Sequence, residues 1–166
     1  MPKESLGEKI QSLTPLDNGQ KQSSALRVSF LIPAFHCSET LERTVLSVRD
    51  YLQKRFPNAF EILIIPNGVQ SDGGRTFEVA EVLARRFPEV RTVIHKAPPG
   101  KGAALRTGYT QSIGEWVFFT DADLPYDLSF FSEATELLAD GVDFVSGNRR
   151  SPQSQFTIPV TLLHLA

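Results

Sequence analysis

Asp121-Ala122-Asp123 follows directly on the apolar run Trp116-Val117-Phe118-Phe119-Thr120. Burying either carboxylate is costly unless it is paired or bound to a metal ion. At the carboxyl end of a strand the chain leaves the pleat, so both side chains can turn toward one ligand. Hard cations such as Mg²⁺ take few carboxylates together with substrate phosphates, and the chemistry read from these residues is a metal–diphosphate site. The same three residues also suit a plain turn, since Asp favours turns and Pro125 follows closely.

Gly100-Lys101-Gly102, with Ala103, Ala104, Leu105, Arg106 and Gly108 behind it, puts open backbone and a cation where a helix is expected to start. Unpaired N–H groups at such a start favour anions. The other reading is a Pro98-Pro99-Gly100 turn leading into an ordinary helix with Lys101 and Arg106 in solvent. The segment is not a Walker motif. Further on, Asp143 to Arg150 ends another short apolar run, Phe144-Val145, with Arg149 and Arg150. These guanidinium groups can neutralise a diphosphate bidentately or sit in solvent at a surface turn. His36, His95 and His164 share no metal-ligand spacing and read as surface or packing residues, and Cys37 has no evident triad.

The elements that must position these residues alternate in type. Val28 to Ile32, Ile62 to Ile65, Val90 to Ile94, Trp116 to Phe119 and Phe144 to Val145 read as strands. Leu41, Val45, Val48 and Leu52 share one helical face, with Ser38 ahead of them able to cap the helix. Thr76, Val79, Val82, Leu83 and Phe87 repeat that spacing before Pro88, and Phe131, Ala134, Leu137 and Leu138 repeat it before Gly141. A shorter helix follows Lys101. Strand and helix in alternation predict a parallel sheet with helices on its faces and ligands at the carboxyl ends of the strands.

The 166 residues, 41% hydrophobic and 22% charged, suffice for one globular domain with its own core. A net charge of -2 lacks the basic footprint of a nucleic-acid binder, so no nucleic-acid partner is expected. The lone Cys37 excludes an intrachain disulfide and fits a cytoplasmic setting. Residues 1–26 read as a flexible polar tail without a signal peptide, and no run approaches the roughly 18 apolar residues of a membrane-spanning helix.

Taken in order, Val28-Ser29-Phe30-Leu31-Ile32-Pro33-Ala34-Phe35, Glu61-Ile62-Leu63-Ile64-Ile65-Pro66-Asn67-Gly68, the Gly100-Lys101-Gly102 loop, Asp121-Ala122-Asp123 and Gly147-Asn148-Arg149 resemble glycosyltransferase family 2, nearest to dolichyl-phosphate glucosyl and mannosyl synthases. The resemblance covers about Arg27 to Arg150 and rests on the order and spacing of five segments, none of which is specific alone. It implies a GT-A fold, a Rossmann-like three-layer αβα arrangement with a mostly parallel central sheet. It implies inverting transfer of a sugar from a nucleoside-diphosphate sugar with Mg²⁺ or Mn²⁺ as cofactor. By motif, Asp123 would be the metal ligand, and Asp121, the second catalytic carboxylate, would contact the donor's ribose or sugar. Pro33, Ala34 and Phe35 would line the nucleotide pocket. Ala122, Lys101, Arg106 and Arg149 would lie near the donor, Arg149 close to phosphate.

Two departures stand out. Where the family usually shows Asp-Asp-Gly-Ser after the second strand, this chain has Pro66-Asn67-Gly68-Val69, so the usual acidic contact to the base is missing; Asn67 can still hydrogen-bond a base, and Asp72 is present. Where lipid-phosphate-using synthases often carry a Gln beyond the D-x-D segment, Pro125 stands. The resemblance implies a lipid-phosphate acceptor of the polyprenyl type and a peripheral place at the cytoplasmic face of the membrane. The expected division is a tail over residues 1–26, a nucleotide-sugar-binding domain over 27–150, and over 151–166 the start of an acceptor-side segment that is left incomplete. The alternatives are a truncated or degenerate GT-A module that binds nucleotide without turnover, and, ranked last, a nucleotidyltransferase. The last lacks its Gly-rich loop, because Ala34-Phe35-His36-Cys37 follows the first strand.

Overall fold

The computed structural model describes residues 27–68, 74–96 and 98–148. Four strands and four helices alternate along them: β1 (Val28–Ala34), α1 (Leu41–Arg55), β2 (Phe60–Pro66), α2 (Arg75–Arg86), β3 (Val90–Thr92), α3 (Lys101–Gln111), β4 (Trp116–Phe119) and α4 (Phe130–Ala139). All strand pairs are parallel, in the order β3-β2-β1-β4. β1 and β2 are buried along their whole lengths, and the continuous apolar runs that predicted them are what a strand covered on both faces requires.

Alternation along the strands sorts the core into two layers. Phe30, Ile32, Ile62, Ile64 and Phe118 point to the side covered by α1, α2 and α4, where Leu41, Val45, Val48, Leu52, Leu83, Phe131 and Ala134 meet them. Leu31, Leu63, Ile65 and Val93 form the second layer beneath Ala104 of α3. The three layers predicted from the sequence are thus present. Phe131 anchors α4, with its ring 5.0 Å from that of Phe30 and 5.4 Å from that of Phe118 in edge-on geometry.

α3 lies close against the sheet because two glycines allow it. A Cβ at Gly108 would stand 2.9 Å from the Ile65 Cδ1, and one at Gly114, just past the helix, 2.6 Å from the Val28 carbonyl carbon. The same end is tied by a buried polar cluster. The Ser29 hydroxyl donates to Glu61 at 2.5 Å, and Arg91 donates to the other Glu61 oxygen at 2.8 and 3.1 Å. Ile113 N–H donates to Glu61 at 2.9 Å and Gly114 N–H to Ser29 Oγ at 2.8 Å. Glu61 is only 4% exposed, and these partners are what makes a charge there tolerable.

Three local expectations need correction. Ser38 does not cap α1: the helix begins two residues later than a Ser38 cap requires, and the Cys37 carbonyl accepts the N–H groups of Thr40 and Leu41 instead. Phe144-Val145 is not a strand. Phe144 is 77% exposed, and Val145 only flanks the core, so this two-residue apolar run has no ladder to hold it extended. Val82 and Leu137, placed on apolar helix faces by spacing, are exposed, while Ala80 and Thr135, which the spacing left out, are buried.

Candidate functional site

In the order β3-β2-β1-β4 the chain steps outward from β1 to β3 and then returns to the other side of β1. The crevice outside the carboxyl ends of β1 and β4 is therefore the switch point at which such sheets bind ligands. β4 is shorter than β1. Its last residue, Phe119, pairs with Leu31, three residues before β1 ends. Asp121 and Asp123 thus leave the sheet beside the last residues of β1.

Thr120 N–H donates to the Leu31 carbonyl at 3.2 Å, and the chain then turns sharply, with Leu124 N–H returning to the Asp121 carbonyl at 3.0 Å. Leu124 has φ +49°, a left-handed conformation that a branched residue adopts only where its surroundings hold it. The buried Ala122 is clamped from α1, where the Thr44 hydroxyl donates to its carbonyl at 2.7 Å. The residue between the two carboxylates is held inward, leaving Asp121 half-buried and Asp123 exposed.

The start of α3 meets this turn from across the crevice. The Lys101 ammonium forms an ion pair with Asp121 Oδ1. One residue earlier, Gly100 N–H donates to Asn67 Oδ1 at 3.0 Å, and Asn67 N–H in turn donates to the Ala34 carbonyl at 2.8 Å. The approach to α3 is steadied by His95, whose ring nitrogens lie 2.9 Å from Thr107 Oγ1 and 3.3 Å from the Pro98 carbonyl. His95 is buried, 8% exposed.

Of the residues singled out by sequence, Asp121, Asp123, Ala122, Lys101 and Asn67 converge on this crevice. Pro33 and Ala34 are buried inside β1, and of the three end residues only Phe35 is exposed, at 51%, its ring tilted 36° to that of His36 with centroids 4.3 Å apart. Arg106 is exposed on α3 but stands about 140° around the helix from Lys101, so it does not share that face. Asp72 and Arg149 lie outside the described residues, as do Arg150 and His164. Sequence reasoning missed Thr44, whose only signal was a hydroxyl inside the apolar stripe of α1, and the bracing role of Asn67.

Among the described residues no three His, Cys, Asp or Glu side chains come together. Two carboxylates on one turn suit a hard cation whose shell is completed by phosphate oxygens, and they do not suit a closed protein cage of the zinc type. The buried Thr120 hydroxyl beside Asp121 has no hydrogen-bond partner among the described residues, which also fits a turn built to receive something polar.

The model of the family described as Glycosyl transferase family 2 matches residues 29–161. Glycosyltransferase AglD of Haloferax volcanii is 27% identical over 132 residues, 78% of this chain and 21% of that protein. Dolichyl-phosphate beta-glucosyltransferase ALG5C of Trichomonas vaginalis is 26% identical over 114 residues, 66% of this chain and 33% of that protein. The chain therefore spans about a fifth to a third of the length of these relatives. Among solved structures, mannosyltransferase PcManGT of Pyrobaculum calidifontis, in complex with GDP-Man and Mn²⁺, superposes with a TM-score of 0.58 at 23% identity, covering 78% of this chain and 37% of that one. TarS 1–349 of S. aureus superposes with a TM-score of 0.54 at 17% identity, covering 69% of this chain and 33% of that one. The fold is the GT-A fold predicted from the sequence. With a family model matched over most of its length, the chain belongs to glycosyl transferase family 2.

Proposed function

We propose that this chain is the donor-binding part of an inverting glycosyltransferase that uses a nucleoside-diphosphate sugar and a divalent cation, Mg²⁺ or Mn²⁺. The observation that carries this reading is the meeting of Lys101, at the start of α3, with Asp121, at the end of β4. It brings an anion-binding helix start and a cation-binding carboxylate pair into one crevice, the combination a metal–diphosphate ligand needs.

In this reading Asp123 holds the cation together with phosphate oxygens of the donor, and Asp121 contacts the ribose or sugar. The cation supplies charge neutralisation on the departing diphosphate, which matters most in the transition state. Lys101 and the free N–H groups of α3 receive the phosphates, and Phe35 offers a ring at the mouth of the crevice. Asn67 fixes the α3 start; its carboxamide oxygen is engaged by Gly100, so a base contact falls to the rest of its amide.

The acceptor of this proposal is a polyprenyl phosphate, supported by the dolichyl-phosphate glucosyltransferases among the relatives. Such a phosphate is already anionic at neutral pH, so its oxygen attacks without needing a strong general base. No helix among the described residues is long and apolar enough to cross a membrane, and a peripheral position at the cytoplasmic face is part of the proposal.

Isothermal titration of UDP, GDP and dTDP, with Mn²⁺ and with EDTA, tests the site. We expect one nucleotide to bind only with metal and Asp123→Ala to abolish that binding. Binding that ignores both EDTA and the substitution overturns the reading.

A further inference from the structure

The Lys101 ammonium reaches the D-x-D turn and is already paired with one of its two carboxylates. It belongs to the first residue of an eleven-residue helix whose preceding backbone is braced by Asn67 Oδ1, so its Cα is fixed while its long side chain keeps its rotamers. Its side chain is 54% exposed and that of Asp121 38%. The pair is thus reachable by solvent, weak enough to exchange and close enough to compete. Asp123, two residues on, is exposed and is not part of the ion pair.

We infer that Lys101 is an exchangeable counter-ion, which lowers the affinity of the turn for a divalent cation until a diphosphate arrives and draws the ammonium away. The inference rests on the donor-site reading above and adds an order of events to it. While the crevice holds no nucleotide, Lys101 neutralises half of the charge that a cation would seek. A diphosphate set at the start of α3 offers Lys101 a more highly charged partner. The positive charge beside the turn is then withdrawn, and Asp121 is freed to meet the ribose or sugar, at the moment when phosphate oxygens become available to complete the shell of a cation on Asp123. Metal and donor therefore bind with positive coupling, each raising the affinity for the other by the same factor. A nucleoside without phosphates, lacking the anion that draws Lys101 off, does not produce this coupling.

An exposed ion pair is worth up to about 1 kcal/mol, which sets the expected effect at up to about fivefold. Mn²⁺ binding is read directly from the loss of the free-ion signal in electron paramagnetic resonance, on wild type, Lys101→Met and Lys101→Arg, each with and without the nucleoside diphosphate that the wild type binds. Melting curves check that all three proteins are folded, which the exposure of Lys101 leads us to expect. Without nucleotide, Lys101→Met should bind Mn²⁺ about three- to fivefold more tightly than wild type, and Lys101→Arg should behave as wild type. With nucleotide, Lys101→Met should lose most of the coupling.

Equal Mn²⁺ affinity in wild type and Lys101→Met without nucleotide overturns the inference, as does weaker binding by the variant or no binding by either protein. If the wild type binds no nucleoside diphosphate with or without metal, it is the donor-site reading that fails. A wild type that binds nucleotide with metal while Lys101→Met leaves the metal affinity unchanged removes the counter-ion role alone.

Discussion

The carboxamide oxygen of Asn67, at the end of β2, accepts the backbone N–H of Gly100 at 3.0 Å and so joins the second strand to the start of α3 across 33 residues. Asn67 is 7% exposed, and its own N–H is bonded to Ala34, so the joint is held at the Asn67 side and partly buried. Removing one partner of such a bond leaves a donor stranded, at about 1–3 kcal/mol.

Asn67→Ala should therefore lose about 1–2 kcal/mol in urea unfolding and should weaken nucleotide binding as Lys101 loses its fixed base. Asn67→Asp should stay within about 0.5 kcal/mol of wild type, because a carboxylate accepts the same bond and suits a helix start. Equal losses in the two variants would mean that the hydrogen bond is not what holds α3 in place.

Gly114 and Gly108 predict costs of different size for the same substitution. A Cβ at Gly114 runs into the backbone of Val28 and Ser29, which cannot yield without disturbing β1. At Gly108 the nearest atom is the flexible end of Ile65, while the helix gains from losing a glycine. Gly114→Ala should cost more than about 2 kcal/mol, and Gly108→Ala about 1 kcal/mol or less, by thermal or urea unfolding.

The contrast between those glycines also marks what the sequence could and could not convey. Periodicity is local, so it located β4 at Trp116–Phe119, placed the carboxylates at its end and found the apolar stripes of α1 and α2. It could not see that Lys101 reaches Asp121, or that Asn67 turns toward Gly100, since those pairs are fixed by the strand order and register. It misread Phe144-Val145 because an apolar pair looks like a strand whether or not a neighbour exists to pair with it. Val82 misled for the opposite reason: its spacing from Val79 is helical, but it stands about 100° around the helix from the buried Leu83 and about 120° from the buried Thr76, outside the arc that faces the sheet.

Thr44 offers a test that separates the turn from the fold. Its hydroxyl is the donor seen on the Ala122 carbonyl, and both residues are buried. Thr44→Val keeps the volume but removes the donor, so it should cost about 1–2 kcal/mol and loosen the turn that presents Asp121 and Asp123. Thr44→Ser should retain both the stability and the metal-dependent nucleotide affinity measured by calorimetry. A Thr44→Val protein that binds as wild type would show that α1 does not position the turn.

Asp127 carries a pH dependence whose sign follows from its partner. The Ser129 side chain, with a further contribution from the Ser129 backbone N–H, holds its carboxyl below the ordinary value of 3.8; the N–H lies 2.7 Å from Oδ1. Hydrogen bonds of this kind favour the charged form, so the folded protein binds this proton less readily than the unfolded chain does. The contribution is therefore fully present above 3.8 and is lost as pH falls through the lowered folded value. Because the group is open to solvent, the effect on unfolding is small, and the direct measurement is an NMR titration of the Asp127 carboxyl carbon. A midpoint below 3.8 that moves back toward it in Ser129→Ala is the expected result, and a midpoint unchanged by that substitution would assign the shift to some other group.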